Sequence, residues 1–191
     1  MDTFGEVPFV KPVEWFREQD PKQVLMWVNT IVEGRQEVPE YFNWLGLAQL
    51  SANQARSRDD AVSSIPDLDW AKVAIVVYDY LINKADPARR DSLEHSVMML
   101  RAYLIVKLGV VPHDPVLDIE HIVQWFFQNL RLSLEEAARR SASWKELKRE
   151  EILELRQIKN RLAVIRSLAE HNLLSHHPEL QPWLALREKL P

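Results

Sequence analysis

The chain has 191 residues, 47% of them hydrophobic, with 24 Lys and Arg against 28 Asp and Glu for a net charge of −4. That mixture supports a buried core and excludes a disordered polyelectrolyte. The absence of cysteine removes disulfide frames, zinc–thiolate sites, iron–sulfur clusters and thiol nucleophiles, and four glycines are too few for the many tight turns of an all-β or α/β protein.

The expected fold class is therefore all-α, a multi-helix bundle or irregular helical array of eight to nine helices with one long C-terminal helix. The opening Met1-Asp2-Thr3-Phe4-Gly5-Glu6 is acidic and lacks the basic-then-apolar order of a secretory signal. With the missing cysteine, this leads us to expect a soluble, cytoplasmic protein. Helices are predicted over 12–18 and 21–33. The second starts at Asp20-Pro21, an N-cap followed by a proline whose missing N–H costs nothing at the first helical position, and Gly34 suits its left-handed C-cap. A third helix is predicted over 39–57.

The segment 67–84 contains Val73-Ala74-Ile75-Val76-Val77-Tyr78, a β-branched run. It is read as helix because it exceeds strand length and has no strand to pair with. Its apolar stretch, interrupted by Asp79, is too short to span a bilayer, so no membrane insertion is expected. Asp86-Pro87 and Asp114-Pro115 predict helix starts for 87–108, closed by Gly109, and for 115–131. Capping boxes Ser133-x-x-Glu136 and Ser143-x-x-Glu146 predict starts for 134–141 and 144–171, and a last helix is predicted over 178–189. The reading is one domain, 1–191. The longer gaps near 57–66 and 109–114 suggest a subdivision into N-terminal helices (1–64), central apolar helices (65–132) and C-terminal helices (133–191). No fixed 34-residue period marks a tetratricopeptide array.

Helix 144–171 carries the most distinctive charge pattern. At about 100° per residue, Trp144, Leu147, Leu155, Ile158, Leu162, Ile165 and Ala169 form an apolar seam. Lys145, Lys148, Arg149, Arg156, Lys159 and Arg166 gather along one flank of it. Such a stripe fits phosphate backbones or an acidic protein partner, and equally a solvated flank whose stems cover apolar surface. Seven tryptophans occupy seven predicted helices, a distribution that favours core roles. Trp15 and Trp183, in short terminal helices, are the interface candidates.

His171, His176 and His177, beside Glu170 and Glu179, are the weak metal candidates, with a spacing that matches no helix-based metal motif. Asp91, Glu94 and His95 resemble Asp118, Glu120 and His121 in pattern, but adjacent Glu-His side chains diverge by about 100° on a helix, unlike a di-iron Glu-x-x-His pair. No GxGxxG, GxxxxGK[ST] or GxSxG motif is present. The leading expectation is a non-enzymatic protein–protein interaction or adaptor module without a cofactor. Nucleic-acid binding through the basic flank is the alternative, and a metal-dependent helical-bundle enzyme is third.

Overall fold

The computed structural model describes residues 4–56 and 65–191. Among them every regular element is helical: α1 (Pro21–Val32), α2 (Trp44–Ala55), α3 (Leu68–Lys84), α4 (Pro87–Leu108), α5 (Ile119–Gln128), α6 (Leu134–Ala142), α7 (Arg149–Ala169) and α8 (Gln181–Arg187). Four 3₁₀ segments, Val7–Val10, Val13–Glu18, Trp144–Glu146 and Pro178–Leu180, complete the described set. The fold is all-α, and no helix among the described residues is long and apolar enough to cross a membrane. The chain forms two compact units, Met1–Leu100 and Arg101–Pro191, so the division falls inside α4. The 57–66 gap lies almost wholly outside the described residues.

In the first unit, local signals set the helix ends. The Lys22 amide donates to Asp20 Oδ1 at 3.0 Å, with Pro21 opening α1. Gly34 and Gly109 both take positive φ after α1 and α4, as the C-cap reading requires. Asn43 caps α2 by accepting from the Gly46 amide at 2.9 Å. A Cβ on Gly46 would stand 2.8 Å from the Asn43 Cγ, so a larger residue there would require the capping side chain to shift. Asp67 caps α3 by accepting from the Asp69 and Trp70 amides.

α2 buries Ala48, Ser51, Ala52 and Ala55, and α3 buries Ala71 and Ala74. These small side chains let α2 and α3, the most extensively packed pair, approach closely. The β-branched run is helical, with Val73, Ile75 and Val77 buried. Burial of this helix outweighs its residues' strand preference.

One indole organises the rest of this unit. Trp27, fully buried on α1, meets the rings of Phe9, Phe16, Phe42 and Trp44 at centroid distances of 5.2, 5.6, 5.7 and 5.8 Å. Its Nε1 donates to the Gly5 carbonyl at 3.1 Å, and Gln36 Nε2 donates to the same oxygen at 2.8 Å. Both N-terminal 3₁₀ segments and the 35–43 connection are thereby held against α1 and α2.

In the second unit, Leu155, Ile158, Leu162 and Ile165 of the predicted seam are buried on α7, whereas Trp144 and Leu147 precede the helix and, like Ala169, are only half-buried; α5 packs on α7 through the unit's core. Phe126 of α5 meets Trp183 of α8 edge-to-face at 5.7 Å. Arg161 Nη1 donates to the Asn129 carbonyl at 3.0 Å, and buried Arg101 donates to the Pro115 carbonyl.

Several boundaries differ from the sequence reading. The predicted 39–57 helix starts only at Trp44, because Pro39 to Phe42 forms a turn closed by the Phe42 amide on the Pro39 carbonyl. The predicted 115–131 helix starts at Ile119 under an Asp118 cap, while Asp114 instead accepts from the Val116 amide in a turn. The predicted 144–171 helix is broken. Ser143 makes no side-chain cap, Leu147 and Lys148 are extended, and α7 begins at Arg149 with Glu150 and Glu151 in its first turn, where carboxylates favour a helix start. The 12–18 segment is 3₁₀ over Val13–Glu18, and 178–189 divides into a 3₁₀ turn and α8.

Replacing Trp27 with alanine is expected to cost about 3–5 kcal/mol, the range for a fully buried large aromatic. Asn43→Ala should cost about 1 kcal/mol through its lost cap. Urea unfolding of both variants checks this, and a Trp27→Ala loss smaller than that of Asn43→Ala would contradict the central place given to the indole.

Candidate functional site

The most exposed aromatic side chain among the large hydrophobic residues is Tyr41, at 73%. Its position follows from its neighbour. Phe42 is drawn into the Trp27 cluster, 5.3 Å from Phe9 and 4.6 Å from Trp44, and Tyr41 is left facing solvent. Two clefts adjoin it. One, of about 310 Å³, runs past Pro12 and Val13; the other, of about 330 Å³, runs past Val10, Val38 and Pro39. Phe9 and Tyr41 line both, so the tyrosine forms a ridge between two shallow depressions. Val7 and Val10 are themselves exposed at 49% and 75%. The charged lining is unequal: Glu14 and Lys11 on one side, Glu6 and Glu37 on the other, three carboxylates against one ammonium.

The six residues of the predicted basic stripe do not share one continuous helix. Lys145 lies in the Trp144–Glu146 3₁₀ segment, its ammonium 5.9 Å from the Trp144 ring centroid. Lys148 is the extended N-cap of α7, and Arg149 is its first residue. Lys159 Nζ donates to the Leu190 carbonyl at 3.3 Å, tying α7 to the C-terminal segment, and Arg166 pairs with Glu170 at 2.9 Å. Arg156 is exposed on α7. Nearby, Arg140 joins Glu136 to Glu154, linking α6 to α7.

Of the two tryptophans read as interface candidates, Trp183 is buried against Phe126. Trp15 is half-buried, edge-on to Phe4 at 5.5 Å and to Phe16 at 5.2 Å. The three clustered histidines separate. His171 is exposed with Nδ1 3.0 Å from the Ser167 carbonyl, and His176 is exposed. His177 is held by two carboxylates, Nε2 at 2.6 Å from Glu120 Oε1 and Nδ1 at 3.1 Å from Glu179 Oε1. His95 lines a different cleft in the first unit, and His121 is exposed on α5. Among the described residues no group of three or more His, Asp or Glu could hold a metal ion.

The His177 clamp joins the first turn of α5 to the entry of α8. Partial burial opposes a charged imidazole, but its hydrogen bonds to the Glu179 and Glu120 carboxylates, with their charges, outweigh it and raise the His177 pKa. Glu179 is lowered, first by its own backbone amide and then by His177.

No protein-family model matches the chain, and no curated protein or solved structure is significantly similar to it. Tyr41, Val7 and Val10 were not singled out by sequence reasoning, which placed Tyr41 inside a helix. The available signal was Asn43-x-x-Gly46 directly after an aromatic pair, a cap that sends one ring inward and leaves the other out.

A raised folded pKa at His177 means that the clamp's contribution is complete below the unfolded value of about 6.5 and fades as pH rises through the folded one. The lowered Glu179 adds a contribution present above about 4.3 and lost on acidification. The stability difference between wild type and His177→Gln should thus be largest near pH 5–6 and shrink above about pH 7. Thermal unfolding across that range measures it, and a gap independent of pH would remove the charged clamp.

Proposed function

We propose that the chain is a non-enzymatic interaction module whose Tyr41 face captures a segment of another protein carrying apolar anchors flanked by Lys or Arg. The observation that carries this reading is the exposed Tyr41 ridge between two clefts with an acidic excess of Glu6, Glu14 and Glu37 over Lys11. A rigid tyrosine beside small depressions offers large contact area at little conformational cost. Its base is immobilised through Phe42, so little ordering is needed on binding. Carboxylates around the apolar centre favour a basic partner in encounter and in register.

Nucleic-acid binding through Lys148, Arg149 and Arg156 draws less support. The break before α7 interrupts the stripe, while Lys159 and Arg166 are engaged with Leu190 and Glu170. A metal-dependent reaction at the histidines draws less support still, since His177 has a carboxylate at each ring nitrogen and its two neighbours are exposed.

Selection from a displayed random-peptide library should enrich sequences combining aromatic or aliphatic residues with Lys or Arg. Tyr41→Ala should weaken the best of them at least about tenfold. A Glu14→Lys/Glu37→Lys variant should lose the preference for basic peptides. Enrichment of no sequence, or of sequences indifferent to these changes, would overturn the reading. Salt-sensitive RNA or DNA binding that is lost on charge reversal at Lys148, Arg156 and Lys159 but unaffected by Tyr41→Ala would replace it.

A further inference from the structure

A third cleft in the first unit, of about 500 Å³, is built from three helices and is independent of the Tyr41 face. α2 contributes Gln49, Asn53 and, at its C-cap, Arg56, spaced i, i+4 and i+7 so that they lie along one face. α4 contributes His95, Ser96 and Met99, and α3 contributes Tyr78. The described lining holds a guanidinium, an imidazole, two carboxamides and two hydroxyls, with no carboxylate.

The Ser96 hydroxyl is already committed. Ser96 Oγ donates to the Ser92 carbonyl at 3.1 Å, and the buried Tyr78 lines the cleft beside it. This pair forms a polar floor. Burial, the largest effect on Tyr78, keeps its phenol neutral against the nearby Arg56 charge. The groups left to face a ligand are Arg56, His95 and the Gln49 and Asn53 amides, beside the apolar Ala52 and Met99.

We propose that this cleft binds a small hydroxylated organic anion, its phosphate or carboxylate held by Arg56 and His95 and its hydroxyls by Gln49 and Asn53. A guanidinium and an imidazole supply charge-assisted donors to anionic oxygens. Carboxamides donate and accept together, which suits hydroxyl groups. The carbon skeleton lies along Ala52 and Met99, and the volume is in the range of small-ligand sites. The negative end of the α2 dipole opposes an anion here, but a direct ion pair with Arg56 outweighs that partial, screened charge.

The test is titration of the full chain with glycerol 3-phosphate, gluconate, inorganic phosphate and glycerol, followed by NMR at the Asn53 amide, Arg56 guanidinium and His95 ring. The phosphate ester, gluconate or both should shift these signals, and which does so identifies the anionic group. Glycerol should not. Arg56→Gln and His95→Gln should each weaken binding at least about tenfold, as expected for loss of a charge-assisted contact. Tyr78→Phe, which removes only the floor hydroxyl, should retain it. No shift with either organic anion up to about 10 mM, well above usual metabolite affinities, would overturn the proposal. So would unchanged affinity in the Arg56 and His95 variants, or inorganic phosphate binding as tightly as the organic anions.

Discussion

The first unit depends on the burial of one indole. Trp27 touches four other aromatic rings drawn from the N-terminal 3₁₀ segments, the 35–43 connection and the start of α2. These parts of the chain have little regular hydrogen bonding of their own. A 3₁₀ segment is too short to be stable alone, so its position comes from the rings it contributes. The Nε1 bond to the Gly5 carbonyl satisfies the polar atom that comes with the indole's large apolar area. It also brings the N-terminal segment to the same place.

The exposed ridge follows from this cluster. The chain must turn between Pro39 and Phe42 to enter α2, and only one of two consecutive rings can join the core. Phe42, wholly apolar, goes in. Tyr41, with a hydroxyl to solvate, stays out. Its orientation is maintained by the same contacts that stabilise the unit, so a stable core and a preorganised surface are two results of one arrangement.

The second unit uses a different balance. Its core is aliphatic along α7, with Phe126 edge-on to both Phe127 and Trp183. Side chains bridging to backbone or across elements supplement it: Arg161 to Asn129, Lys159 to Leu190, and His177 between Glu120 and Glu179. Basic residues that look like a binding stripe on a helical projection are partly occupied in this way. Long cationic side chains reach carbonyls and carboxylates that a one-dimensional pattern cannot place.

Helical class, the caps at Asp20, Asp86 and Ser133, the glycine C-caps and the part of the apolar seam within α7 were determined by the sequence alone, because each rests on a local rule acting within one turn or one helical period. The β-branched run of α3 was legible as helix by its length and its lack of a strand partner. Only tertiary structure decided where competing starts were used. Asp118 rather than Asp114 opens α5, and α7 begins after the extended Leu147 and Lys148 instead of at Ser143. Several caps were chemically competent, and packing of the following apolar face selected among them. The division within α4 was invisible because helical periodicity continues across it. The Tyr41 ridge and the Arg56–His95 cleft were equally hidden. Each assembles residues from separate segments, and no local spacing encodes which neighbouring ring is buried or which three helices meet.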